Sequence, residues 1–151
     1  MIFHLAVYIV CAAVLAVIFA LLEVQIEGKD GYAAKLPCWR KETGLIVKLS
    51  GGRPVTGYHI VMAIFMILMF HFPFLFVRWT LETELLILGL VFETFLLEDF
   101  FWFVFNPHFG IKKFKKEHIW WHIGWWGPFP SLYYYMLVAC VLFIVLSQLV
   151  D

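Results

Sequence analysis

Glu98 and Asp99 stand side by side in a run of phenylalanine and tryptophan, residues 97–106, where charged groups are costly and each asks for a reason. On a helix, neighbours point about 100° apart, so the two carboxyls can flank one site. His118 and His122 are spaced i, i+4, which on a helix puts both imidazoles on one face and within reach of one cation. Carboxylates and imidazoles together suit a borderline divalent metal such as zinc, manganese or iron. The expected metal set is Glu98, Asp99, His118 and His122, extended by Glu23, Glu27 and His59, which is enough for one ion and possible for two. Glu98 and Asp99 are the expected catalytic pair. A metal there would activate water or oxygen, which gives a metal-dependent membrane hydrolase or oxygenase. Arg53, Lys112 and Lys113 are the expected contacts for an anionic substrate headgroup.

Each feature also has a plainer reading. The histidines could face headgroups and water, and the adjacent acids could pair with Lys112 or Arg53. Glu23 and Glu27 could be ordinary helix-end acids. His59, Met62, Met66 and Met69 form a stripe at helical spacing that suits soft-metal ligands or simple packing. His71 and His4 could meet across helices around a haem, or each satisfy a local hydrogen bond. Residues 50–53 lack the strand and helix that make a glycine loop a nucleotide motif. No Gly-x-Ser-x-Gly, P-loop or His-Glu-x-x-His pattern occurs, and Cys11, Cys38 and Cys140 are too scattered for a thiolate site or a disulfide framework.

The elements that would position these groups follow from composition. Apolar residues make up 64% of the 151, charged residues 15%, and mean hydropathy is +0.90. Those values argue against a water-soluble globule and against a disordered chain. Four stretches approach the roughly 20 apolar residues that a helix needs to cross a bilayer: 2–23, 57–79, 84–105 and 132–150. A signal peptide is the alternative for the first, but it lacks a basic start and its apolar run is long. The expected fold is therefore an all-α integral membrane protein, a single domain built as a four-transmembrane-helix bundle. The loops 24–56 and 106–131 then share one side and carry ten of the eleven Lys and Arg residues. The positive-inside rule puts them in the cytoplasm, with both termini outside the cell's inner membrane. Within the first loop, turn signals at 27–31 and 50–54 bracket a β-like run at 45–49, which suggests a small hairpin. In the second, lysines followed by clustered tryptophans suggest a short interfacial helix between helices 3 and 4.

With this orientation Glu23, Glu27, Tyr58, His59, Glu98, Asp99, His118 and His122 all fall at one membrane boundary. Glu93 lies deeper, by about 7 Å at 1.5 Å per residue. Grouping at one level favours a metal site acting on a membrane lipid or other lipid-like substrate. An alternative is an oligomer that translocates divalent cations or protons along Glu98, Glu93 and then Glu82 or Glu84; another is an accessory subunit of a larger membrane complex. A homo-oligomer fits either, and no nucleic-acid partner is expected. The orientation makes one checkable statement: a membrane-impermeant thiol reagent should leave Cys38 unmodified in intact cells, and rapid labelling from outside would reverse the topology.

Overall fold

The computed structural model of the chain describes residues 2–50 and 52–150, so Gly51 of the expected turn at 50–54 lies outside the described residues. The chain is mostly helical, 63% of it. In order come α1 (Ile2–Glu27), β1 (Arg40–Lys41), α2 (Leu45–Leu49), β2 (Val55–Thr56), α3 (Gly57–His71), α4 (Leu81–Phe105), β3 (Trp125–Trp126), β4 (Phe129–Pro130) and α5 (Ser131–Ser147). Short 3-10 turns at Phe72–Leu75 and Ile111–Lys113 complete the elements. Two stretches, His4–Glu27 and Gly57–Leu75, are long and apolar enough to cross a membrane by length and composition. α4 has the length, but every 18-residue stretch of it holds at least three acids, and α5 has 17 residues.

Helix ends follow local chemistry. α1 stops at Gly28, whose φ of 58° is a left-handed cap and whose N–H returns to the Val24 carbonyl at 3.0 Å. Thr56 caps α3 by accepting from the His59 N–H at 3.3 Å, and Thr80 caps α4 from the Thr83 N–H at 3.2 Å. α4 ends at Asn106 before Pro107, since the residue before proline avoids helical geometry. Fully buried Asn106 donates to the Gly28 carbonyl at 2.8 Å and accepts from the His108 N–H at 3.0 Å. That bond fastens the ends of α1 and α4 together, and both long loops lie at this end.

α4 is the central helix, packed broadly against α1 and α5 and more lightly against α3. Gly89 lets α5 come close: a Cβ there would sit 2.6 Å from Ile144 Cγ1 and 3.2 Å from the Cys140 carbonyl oxygen. At the loop end an aromatic core forms from Tyr32, Trp102, Phe103 and Trp121, with Ala20, Val24 and Ile119. Phe103 and Trp121 stack with centroids 6.0 Å apart, and Phe109 packs on Trp102 at 4.8 Å.

Two loop expectations are corrected. The segment containing His118 and His122 is an irregular turn followed by the β3–β4 hairpin, in place of an interfacial helix. Burying Ile119 and Trp121 in the aromatic core requires an extended path, and that burial outweighs weak local helix preference. Gly127, with φ 58°, and Pro128 then close the hairpin in a two-residue turn. The β-like run at 45–49 is the short helix α2, and strand pairing falls on its flanks, Arg40 with Thr56 and Lys41 with Val55.

The close α4–α5 approach yields a stability prediction. Gly89→Ala should lower the thermal midpoint in detergent, by the equivalent of about 1–3 kcal/mol, because backbone atoms of α5 must retreat. An unchanged midpoint would show that the helices are further apart.

Candidate functional site

The loop end of the helices encloses a cavity of about 360 Å³. α1 contributes Glu23 and Glu27, α3 His59, α4 Glu98, Asp99 and Trp102, and α5 Tyr133, with Tyr32 and Arg53 from the first loop. Its deeper wall is apolar and includes Phe19, Met62, Phe92, Phe95 and Met136. The cavity is thus polar where the loops cover it and greasy between the helices.

Each acid has a definite environment. Glu23 is buried, accepts from the Tyr58 hydroxyl at 3.0 Å, and meets Glu98 side chain to side chain. Carboxylates only accept, so a hydrogen bond between these two requires a shared proton. Glu27 accepts the N–H of Tyr32 at 2.9 Å and of Ala33 at 2.5 Å, and its Oε1 lies 3.4 Å from His59 Nε2. Tyr32 and Ala33 both have positive φ, 48° and 51°, a conformation that L-residues adopt only when held. Glu27 therefore pins a strained turn. That turn aims the Tyr32 ring at His59, stacked at 4.5 Å, and its hydroxyl at the Pro54 carbonyl, 2.7 Å away. Burial raises the Tyr32 phenol above its ordinary 10.0, which keeps it a neutral donor.

Asp99 ties three elements together. Its Oδ2 sits 3.1 Å from His122 Nε2 and also accepts from the Tyr133 hydroxyl in a short bond. His122 is buried and its carbonyl accepts from Trp125 Nε1 at 2.8 Å, so the β3–β4 hairpin is latched to the same point.

Two residues that line the cavity each hold a fully buried atom that makes no other hydrogen bond among the described residues: Glu98 Oε1, on the carboxyl that meets Glu23, and Trp102 Nε1, a donor. Glu98 and Trp102 are 7% and 4% exposed, and their i, i+4 spacing on α4 puts them on one face. Buried polar groups are almost always paired, so a donor and an acceptor left over on one face of α4, at the wall of a cavity, mark this as the unsettled part of the loop end.

The structure brings together Glu23, Glu27, His59, Glu98, Asp99 and Arg53 around the cavity, with His122 behind Asp99. It does not bring His118, Lys112 or Lys113 to it. All three are exposed, and the Lys113 ammonium donates to the His108 carbonyl at 2.6 Å. Among the described residues no three His, Cys, Asp or Glu side chains converge as a metal-binding group. The reason is visible in the bonding: an ion at Asp99 Oδ2 would displace His122 or Tyr133, and one at Glu27 would release the strained turn. His71 is likewise committed, Nδ1 at 2.7 Å from the Ile67 carbonyl and Nε2 at 3.1 Å from Glu84, which also takes Trp79 Nε1 at 3.0 Å. Glu93 is buried below the cavity with Oε2 unpartnered.

Sequence reasoning missed Tyr133 and Trp102. Tyr133 lies in the first turn of α5, at the level of Asp99 in the last two turns of α4, so depth alone could have signalled it. Trp102 follows Glu98 by one helical turn, but nothing in its type distinguishes it from its aromatic neighbours. No family model matches the chain, and no curated protein or solved structure is similar to it.

The Asp99 junction makes a graded prediction. Asp99→Ala should cost on the order of 2–4 kcal/mol, because a buried imidazole and a buried phenol both lose their acceptor. Asp99→Asn, which keeps one acceptor oxygen, should cost less. Equal thermal midpoints for the two variants would mean that the bonds to His122 and Tyr133 carry little stability.

Proposed function

We propose that this is a four-span membrane protein that holds a membrane-soluble alcohol or similar amphiphile in the cavity, with acid–base groups at its polar end. Lipid contact is supported by what the helices expose. Val10, Val14 and Ile18 on α1, Val61, Phe65 and Leu68 on α3, and Val138, Val141 and Val145 on α5 all lie open. Apolar faces of that extent mark surfaces that something other than water covers, and their spread over three helices favours lipid. The acids of α4, which count against it as a span by composition, turn inward at Glu93 and Glu98. Lysine and arginine on the two long loops favour a cytoplasmic position for the covered end, in the cell's inner membrane.

The single observation that carries the ligand reading is a leftover acceptor on Glu98 and a leftover donor on Trp102, one helical turn apart on α4, both residues lining a cavity with an apolar extension. A hydroxyl group satisfies both once the two side chains turn toward the cavity: its hydrogen goes to Glu98 Oε1, and its oxygen accepts from the Trp102 indole. Its alkyl chain lies along Phe92, Phe95 and Met136. In this pose Glu98 is also the general base. Taking the hydroxyl proton breaks the O–H bond, forms Oε1–H, and leaves the electron pair on an oxygen already facing an N–H donor. Asp99, held by His122 and Tyr133, is the neighbouring charge that shapes the site. This reading routes no step through a metal.

A photoactivatable twelve-carbon alcohol, added to protein in lipid nanodiscs, tests it. Crosslinks should map to cavity residues of α3, α4 and α5, and dodecanol should compete while dodecane does not. Glu98→Leu and Trp102→Phe should each weaken capture about tenfold, the effect of one lost hydrogen bond. Exhaustive chelation should change nothing. Labels spread over the outer faces of the helices, or equal competition by dodecane, would defeat the proposal. Loss of capture on chelation would restore the metal-dependent reading.

A further inference from the structure

Beside the first cavity lies a second, of about 330 Å³, lined by Ser50, Arg53, His122, Ser131 and Tyr135 among others. Arg53, Trp121 and Leu132 face both, so the two cavities share a wall. Their charges differ. The first holds Glu23, Glu27, Glu98 and Asp99, whereas no carboxylate lines the second. Arg53 is half-buried between them, and among the described residues its guanidinium makes no ion pair or hydrogen bond, although it feels the more distant Asp99.

The backbone around Arg53 is deliberately held. The Ser50 hydroxyl bonds to the Val47 carbonyl at 2.9 Å and the Arg53 carbonyl at 2.8 Å, which closes the loop that presents the guanidinium. On the far side the hairpin is shut by the Ser131 N–H on the Gly124 carbonyl at 2.9 Å. A Cβ at Gly124 would fall 2.3 Å from Ser131 Oγ, so the hairpin wall has no slack there. His122, whose Nε2 is engaged by Asp99, forms part of the same wall.

We infer that the second cavity is a phosphate subsite and that the amphiphile is a lipid phosphate. This rests on the proposed function for the placement of the tail. A half-buried guanidinium that, among the described residues, makes no direct ion pair and has only the more distant charge of Asp99 can take an anion, and its planar fork matches phosphate oxygens. Arg53, Ser131 and Tyr135 offer donors from several directions, which suits a tetrahedral head with three oxygens better than a two-oxygen carboxylate. Arg53 sits where one ligand passes from the acid-rich cavity to the acid-free one. Tail, hydroxyl and phosphate can therefore be read in order along a single molecule.

Calorimetric titration of the protein in dodecyl maltoside, a phosphate-free detergent, separates the possibilities with three probes: dodecyl phosphate, dodecanol and inorganic phosphate. Dodecyl phosphate should bind at least tenfold more tightly than dodecanol. Arg53→Gln should abolish that gain. Ser131→Val, which lines the second cavity alone, should reduce the gain while leaving dodecanol binding intact, which also reports that the variant is folded, and Arg53→Lys, if Arg53→Gln proves unstable, should show a smaller loss of the gain. Inorganic phosphate should compete weakly with dodecyl phosphate and leave dodecanol unaffected. Dodecanol binding with no phosphate gain, or a gain indifferent to Arg53, would overturn the subsite and leave the first cavity standing. Inorganic phosphate binding as tightly as dodecyl phosphate would overturn the lipid source. No binding of either dodecyl probe would sink the proposed function itself.

Discussion

Carboxyl groups at the end of an apolar helix must find donors, and in this chain the search for donors folds the loops. Asp99 draws His122 from the second loop and Tyr133 from α5 onto one oxygen atom. Glu27 draws two backbone N–H groups from the first loop and holds residues 32 and 33 in a conformation they would not otherwise keep. Glu23 takes Tyr58 from α3. The bonds of Asp99 and Glu23 join segments far apart in sequence, those of Glu27 fix the turn that follows α1, and the aromatic core of Tyr32, Trp102, Phe103 and Trp121 then fills the space they enclose. Burying an acid without such partners would cost several kcal/mol, so acids and loops stand or fall together.

That arrangement leaves a remainder. Most buried polar atoms at the loop end are paired, but among the described residues Glu98 Oε1 and Trp102 Nε1 are left over, and both residues line the same cavity. Arg53, on the wall between an acid-rich and an acid-free cavity, is a third group without a hydrogen bond among the described residues. Native structures tolerate few such orphans, and three in one neighbourhood are better explained by a ligand with donor, acceptor and anionic parts than by three separate imperfections. The proposal of an amphiphile with a hydroxyl and a phosphate comes from that pattern.

Part of the helical framework was legible because apolar runs are local signals: the run that ends at 105 stops before Pro107, where α4 ends. The span read as 2–23 stopped short of Gly28, which ends α1, and Thr56 and Thr80, which cap α3 and α4, were not singled out. The convergence of Glu23, Glu27, His59, Glu98 and Asp99 was legible too, from chain direction and depth. The loops were not. The His118–His122 pair invites a helix by spacing, but whether it forms one depends on Ile119 and Trp121 reaching an aromatic core built from other elements. Lys112 and Lys113 looked like headgroup contacts because they are basic and near; only the path of the chain leaves them exposed, away from both cavities. Trp102 and Tyr133 were invisible because their importance lies in which neighbour they lack or meet, a property of packing.

The central claim is that the cavity beside Glu98 and Trp102 receives the head of a membrane-soluble molecule whose tail runs between the helices. The most direct measurement is an anomalous-scattering map of crystals grown with a terminally brominated twelve-carbon alcohol. A bromine peak between Phe92, Phe95 and Met136, with the hydroxyl density at Glu98, is the result expected. Bromine peaks confined to the outer faces of α1, α3 and α5, with the cavity holding only solvent, would contradict it.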